Sequence, residues 1–201
     1  MCIRDSDETV QPVTQKHRRI PFHIRKDVEG ELERLKKEDI IEKVESPTPW
    51  TSPIVVIPKK DSGVRICVDM REPNRAIKRI KHPMPTLDDL ISDLNGSMVF
   101  SKLDMSSAYH QLELNEESRH ITTFTTHAGL RRYKRLLFGV NAASEIFQNA
   151  ITDLLSDIPG GKNLSDDLIV HGKTQADHDV SLHATLKRLE SRGAKLNPAK
   201  C

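Results

Sequence analysis

Leu164 and the apolar run Leu168-Ile169-Val170 are separated by Ser165, Asp166 and Asp167. An apolar stretch this short reads as a hairpin, and the charged residues inside it read as its turn. Adjacent carboxylates at a sheet edge repel one another and lose hydration, and a cation compensates for both effects. Asp104 poses the same problem, because it ends an apolar strand read over Met98–Leu103. An ordinary solvated turn is the plain alternative for any one such dipeptide. Asp88-Asp89 shows how plain it can be: it sits in the first turn of a helix, where the dipole favours negative charge without any ion.

Carboxylates on two strand ends suit a hard divalent cation such as Mg²⁺, which takes oxygen ligands and keeps positions open for phosphates. Three of them can hold two ions about 3.5–4 Å apart. One ion activates an attacking hydroxyl and the other steadies the leaving oxygen. Asp104, Asp166 and Asp167 are therefore the candidate centre for phosphoryl or nucleotidyl transfer.

The rest of the chain reads as mixed helices and strands without a strict βαβ repeat, an α+β pattern. Val28, Leu32 and Leu35 recur at helical spacing, and Ser46-Pro47-Thr48-Pro49 breaks that helix. Ile54–Ile57 and Arg65–Met70 flank the turn Asp61-Ser62-Gly63 and read as a second hairpin. Thr86 and Asp89 form a capping box for a helix with Leu87, Leu90, Ile91 and Leu94 on one face, ended by Gly96. Gln111–Leu114 and Ile121–Thr126 read as strands, with a turn at His127–Gly129. Ala143, Ile146, Phe147, Ala150, Ile151 and Leu154 mark a long buried helix face, and Pro159-Gly160-Gly161 a turn. Thr174 with Asp177 caps a last helix whose core face is Leu182, Leu186 and Leu189, and Gly193 terminates it.

Aromatic residues make up only 4% of the 201 residues, so the core must be mostly aliphatic. The net charge of +2 says little about partners, but its distribution says more. Eight cations (Lys59, Lys60, Arg65, Arg71, Arg75, Lys78, Arg79, Lys81) crowd one segment against Asp61, Asp69 and Glu72. Arg131, Arg132, Lys134 and Arg135 form a second cluster. Such clusters can hold phosphates, although for a basic run alone a solvated face is the simpler reading. Cys2, Cys67 and Cys201 show neither a disulfide framework nor metal-ligand spacing. No apolar run is long enough for a membrane span or a signal peptide, and an intracellular protein is expected, in a cytoplasmic particle or the nucleus. Residues 1–6, MCIRDS, match a translated sequencing-library adapter and are expected to be foreign to the fold.

Four strings occur in order: RICVDMREPN (65–74), FSKLDMSSAYHQLEL (100–114), RLLFGVNAASEIFQ (135–148) and NLSDDLIVHG (163–172). With PTPWTSPIVVIPKKD (47–61) and LNPAKC (196–201), they resemble the reverse transcriptases of gypsy-type long-terminal-repeat retrotransposons, from about His17 to Cys201. The resemblance implies a right-hand polymerase fold. Fingers would be about 17–77 and 112–141, palm about 78–111 and 142–201, and 7–16 a flexible lead-in. It implies RNA- and DNA-directed DNA synthesis with two Mg²⁺, for which Mn²⁺ can substitute. The partners implied are a template–primer and dNTPs, with no membrane.

By the same resemblance, Asp104, Asp166 and Asp167 are the catalytic metal ligands, joined by the backbone carbonyl of Met105. Lys59 and Arg65 match residues that grip the triphosphate. Ala108 and Tyr109 match the residues at the incoming sugar, and Phe138 with Gly139 the floor of the nucleotide site. Gln148, Leu164 and Ser165 fall in the template–primer vicinity. Taken alone, Tyr109 reads equally as a core aromatic, Lys59 and Arg65 as a solvated turn, and Gln148 as a plain surface glutamine. The chain departs from the family at three places. Leu164 replaces the Tyr of Tyr-x-Asp-Asp, Leu137 stands where Pro is usual, and Arg131 where an aromatic is usual. No catalytic position is lost. A thumb, RNase H and integrase would follow Cys201 in the family, so the chain is expected to be a polyprotein fragment and a weak polymerase alone. The rival reading is a decayed, non-catalytic retroelement remnant that at most binds nucleic acid.

Overall fold

The computed structural model describes residues 7, 9–59, 63–79, 87–164 and 167–201. Its strands are β1 (Ile41–Lys43), β2 (Ser52–Pro58), β3 (Val64–Val68), β4 (Val99–Asp104), β5 (Phe124–Thr126), β6 (Gly129–Tyr133), β7 (Gly161–Leu164) and β8 (Asp167–Gly172). Its α-helices are α1 (Arg25–Lys37), α2 (Pro73–Ala76), α3 (Leu87–Leu94), α4 (Ala143–Leu155) and α5 (Gln175–Ser191). The fold is α+β and divides into two compact units. One is Met1–Arg79 with Leu112–Ala143, and the other Ile80–Gln111 with Ser144–Cys201.

The first unit is built on a sheet in the order β1-β6-β5-β2-β3. β2 carries a β-branched run and β3 alternates, and the two strands pair antiparallel from Ile54↔Val68 to Pro58↔Val64, as expected. The pairing of β2 with β5 is parallel, with Ser52 opposite Phe124. Helix α1 buries Val28, Leu32 and Leu35, the stripe expected from spacing. Phe124, Ile121, Leu136 and Ile41 fill the core almost without exposure. The segment after Asp7, expected to be a flexible lead-in, carries backbone hydrogen bonds. Asp7 N–H donates to the Ala76 carbonyl (2.7 Å), and Gln15 N–H to that of Thr51 (2.8 Å).

Two expected strands of this unit are corrected. Residues 116–122 form a 3₁₀ helix, so only Phe124–Thr126 of Ile121–Thr126 is a strand. The β-branched residues that suggest a strand here use their hydroxyls otherwise. Thr122 Oγ1 donates to the Arg119 carbonyl (2.7 Å) and Thr123 Oγ1 to that of His120 (2.7 Å), and these local bonds compete with a ladder. Gln111–Leu114 begins as the end of the 3₁₀ turn Ala108–Gln111 and, among the described residues, pairs only through the isolated bridge Glu113↔Arg135. In compensation, β1 and β6 are strands that hydrophobic patterning does not reveal. Their pairing runs through charge, with Arg132 Nε donating to Glu42 Oε1 at 2.6 Å.

The second unit is built on β4-β8-β7, antiparallel throughout. Leu168 and Val170 of the central strand are fully buried, and α5 packs against that strand. The approach is close because two glycines permit it. A Cβ at Gly172 would lie 2.4 Å from His178 N, and one at Gly160 would lie 2.6 Å from Ser181 Oγ. The Thr174 side chain accepts from Asp177 N–H, the cap expected from sequence. The expected core face of α5 is partly wrong. Leu189 is buried and Leu182 half-buried, but Leu186 is 41% exposed, and His178 and Thr185 face inward instead. Small and polar side chains suit a helix lying this close to backbone. On α4, Phe147 and Ile151 are buried while Ile146 and Leu154 are half-buried, close to expectation. No helix of the described residues is long and apolar enough to cross a membrane.

Candidate active site

The register of β4 on β8 places Asp104 directly opposite Asp167, although the two stand more than 60 positions apart in sequence. Each lies at a strand end, so the ladder that fixes Leu103 opposite Leu168 also fixes the carboxylates. Asn197 N–H donates to the Asp104 carbonyl (2.8 Å) and Ser106 N–H to the Lys195 carbonyl (2.9 Å). The backbone groups of Asp104 therefore point towards residues 195–197 and away from β8. That makes Asp104–Asp167 a non-hydrogen-bonded pair, in which Cα atoms approach to about 4.5 Å and side chains lie closer than elsewhere in the ladder.

Met105 forms an isolated bridge with Leu196, between those two hydrogen bonds. Its own carbonyl is thus turned away from the 195–197 segment, towards the side on which β8 lies. Its side chain is buried and anchors this end of β4. Leu164 closes β7 as the Cα partner of Asp167. Ser165 and Asp166, between them, lie outside the described residues, so the third candidate carboxylate has no described position.

Two cations attend the described pair. Lys102 Nζ lies 2.9 Å from Asp167 Oδ2, and Lys200 Nζ lies 3.7 Å from Asp104 Oδ2. The hydrogen bond to Asp167 raises the Lys102 ammonium above its ordinary pKa, with Coulomb attraction adding to it. Asp104 is the less exposed carboxylate, with 20% of its side chain accessible against 42% for Asp167. Sequence reading overlooked both lysines. The signal for Lys102 was there: it stands two residues before Asp104 in a strand and so shares its face.

Tyr109 follows buried Ala108 in the 3₁₀ turn that leaves β4. The preceding Ser107 takes a left-handed φ of 49°, which turns the chain sharply back. The Tyr109 ring meets Phe147 of α4 edge-on at 5.4 Å, and its hydroxyl lies 3.2 Å from Ser144 Oγ. It is half-buried against that helix. Gln148 is 2% exposed, which excludes a surface glutamine. Its Nε2 donates to the Asn163 carbonyl at 3.1 Å, so it braces β7 one residue before Leu164.

Lys59, Arg65, Phe138 and Gly139 belong to the first unit. Lys59 and Arg65 are exposed at the tip of the β2–β3 hairpin. Lys59 N–H donates to the Gly63 carbonyl (3.0 Å), and its Nζ lies 3.6 Å from Glu31 Oε1. Phe138 is 53% exposed, unusual for so large an apolar ring. Gly139 has a φ of 99° and its carbonyl accepts from Asn74 Nδ2 (2.8 Å). Asn74 also accepts from Asn141 N–H (2.9 Å) and so pins the turn that presents the ring.

The foamy viral protease-reverse transcriptase, solved in complex with an RNA/DNA hybrid, superposes on 96% of this chain with a TM-score of 0.81 at 23% identity. That likeness covers 26% of the foamy viral chain and defines the fold as that of a right-hand polymerase, with its fingers and palm. Residues 57–201 match the family described as reverse transcriptase (RNA-dependent DNA polymerase), and the chain belongs to that family. Among its relatives are the retrovirus-related Pol polyprotein from transposon 412 of Drosophila melanogaster, 33% identical over 95% of this chain, and the transposon Tf2-3 polyprotein of Schizosaccharomyces pombe, 28% identical over 74%. The chain spans only 16% and 11% of those polyproteins.

Proposed function

We propose that this chain is the catalytic portion of an RNA-directed DNA polymerase carried in a retrotransposon Pol polyprotein. It would transfer a nucleotide from a dNTP to a primer 3′-hydroxyl on an RNA or DNA template. The observation that carries the reading is the register that sets Asp104 against Asp167, each within reach of a lysine ammonium. A carboxylate pair that already attracts cations fits a divalent metal centre. Asp104, Asp166, Asp167 and the Met105 carbonyl would hold two Mg²⁺, with Mn²⁺ as substitute. When bound, the ions would lower the pKa of the attacking hydroxyl and offset charge on the leaving oxygen.

The remaining roles are carried by the chain itself. Lys59 and Arg65, as exposed cations, neutralise triphosphate charge that grows in the transition state. The ring of Tyr109 excludes a ribose 2′-hydroxyl by volume, and Phe138 with Gly139 forms the floor beneath the nucleotide. Gln148 acts on backbone, holding the hairpin that carries Leu164 and Ser165 near the primer. On this reading the first unit is the fingers and the second the palm.

Single-nucleotide addition at low salt tests this, because phosphate contacts to the template–primer are then strongest. Asp104→Asn and Asp167→Asn should each slow addition by about two orders of magnitude or more while leaving the circular dichroism unchanged. Wild-type rates in both variants would refute the assignment. A wild-type chain that binds primer–template yet never extends it would be a non-catalytic remnant.

A further inference from the structure

We propose that Lys102 is a built-in counter-ion of the Asp104–Asp167 pair and sets how tightly that pair takes a metal. The inference rests on the reading of those carboxylates as metal ligands. In β4, Lys102 and Asp104 share a face, and Lys102 is paired with Ile169, two residues from Asp167. That makes Lys102 and Asp167 diagonal neighbours, a separation that a long side chain spans. The ammonium sits 2.9 Å from Asp167 Oδ2, at hydrogen-bonding distance.

Two carboxylates opposed across a non-hydrogen-bonded pair repel each other, and the repulsion needs a positive charge nearby. Lys102 supplies that charge from within the chain before any ion arrives. An entering divalent ion competes with the ammonium for Asp167, and its affinity falls accordingly. Lys200 answers Asp104 from the other flank at 3.7 Å, a longer contact that leaves Lys102 the stronger competitor. The Lys102 side chain is 60% exposed, so replacing it removes charge without opening the core.

The test is a titration of this chain with Mn²⁺ alone, read by electron paramagnetic resonance of the free ion. Lys102→Met should bind Mn²⁺ roughly two- to fivefold more tightly than wild type, the size expected for losing one exposed competing charge. Lys102→Gln should do the same, which covers the case in which the methionine variant misfolds. Lys102→Arg, which keeps the charge, should stay near wild type. Asp104→Asn should abolish the binding and so certify the site. If that control holds while Lys102→Met and Lys102→Gln bind no more tightly, the counter-ion role is overturned and the metal centre stands. If Lys102→Arg tightens binding as much as the neutral variants, charge is not the cause and the role again falls. If no protein binds Mn²⁺, or Asp104→Asn binds it undiminished, the metal centre and the counter-ion role fall together.

Discussion

The β2–β3 and β7–β8 hairpins both present charged side chains, and they are built on opposite plans. β3 is an edge strand of its sheet, and the cations Lys59 and Arg65 stand exposed at the hairpin tip. β8 is the central strand of its sheet, paired on both sides and covered by α5, and Asp167 begins it. Even β4, at the sheet edge, is tied at its Asp104 end by residues 195–197. Cations that neutralise spread-out phosphate charge tolerate loose placement, because a Coulomb field falls off slowly with distance. Carboxylates that share an ion do not, since coordination distances vary by only tenths of an ångström. The central strand is where a fold holds an atom still.

Core substitutions should separate the plans most widely. Leu168→Ala, in the fully buried centre of β8, should destabilise by about 2–5 kcal/mol. Ile57→Ala, half-exposed on β2, should change stability by no more than about 1 kcal/mol. Urea denaturation of both variants decides this, and equal losses would show that the two hairpins are anchored alike. Next comes the helix that covers the central strand. Gly172→Ala would drive a methyl group into the backbone of His178 and should cost about 1–3 kcal/mol by the same measurement. An unchanged midpoint would mean that α5 shifts freely and does not hold β8 in place.

The smallest expected effect concerns Tyr109, a ring steadied by α4. Adding a hydroxyl is hard to reject by weakened attraction, whereas a fixed ring in its path rejects it by clash. Tyr109→Ala should lower the preference for dNTP over rNTP, as a ratio of kcat/KM, by about tenfold or more, equivalent to ~1.4 kcal/mol. Tyr109→Phe should change it little if, as proposed, the ring and not the phenol excludes the hydroxyl. If Ala and wild type discriminate equally, Tyr109 is a packing residue and the sugar lies elsewhere.

Much of this was legible in the sequence, and the failures share a cause. Periodicity revealed α1 and α4, each of which buries an apolar face, and apolar or β-branched runs revealed the β2–β3 hairpin and β4. Asp104 and Asp167 were legible as carboxylates out of place in apolar strands, but only the register shows that they oppose each other. β1 and β6 stayed hidden because their pairing rests on Glu42 and Arg132, which carry no apolar alternation. The 3₁₀ helix at 116–122 was mistaken for a strand because its threonines bond locally. The true inner face of α5 was missed because Gly160 and Gly172 let the helix settle on small and polar residues. Asp61, Ser62, Thr86, Ser165 and Asp166, also read from the sequence, lie outside the described residues.

The parallel pairing of β2 with β5 has a kinetic consequence. Ser52 finds Phe124 only after β3, α2, α3 and β4 have been made. A chain emerging from the ribosome therefore displays β2 with only one neighbour while the elements of the second unit appear. Such long-range closure slows folding and leaves a strand edge open in the meantime. The first unit closes only after the segment Ile80–Gln111 of the second has been made.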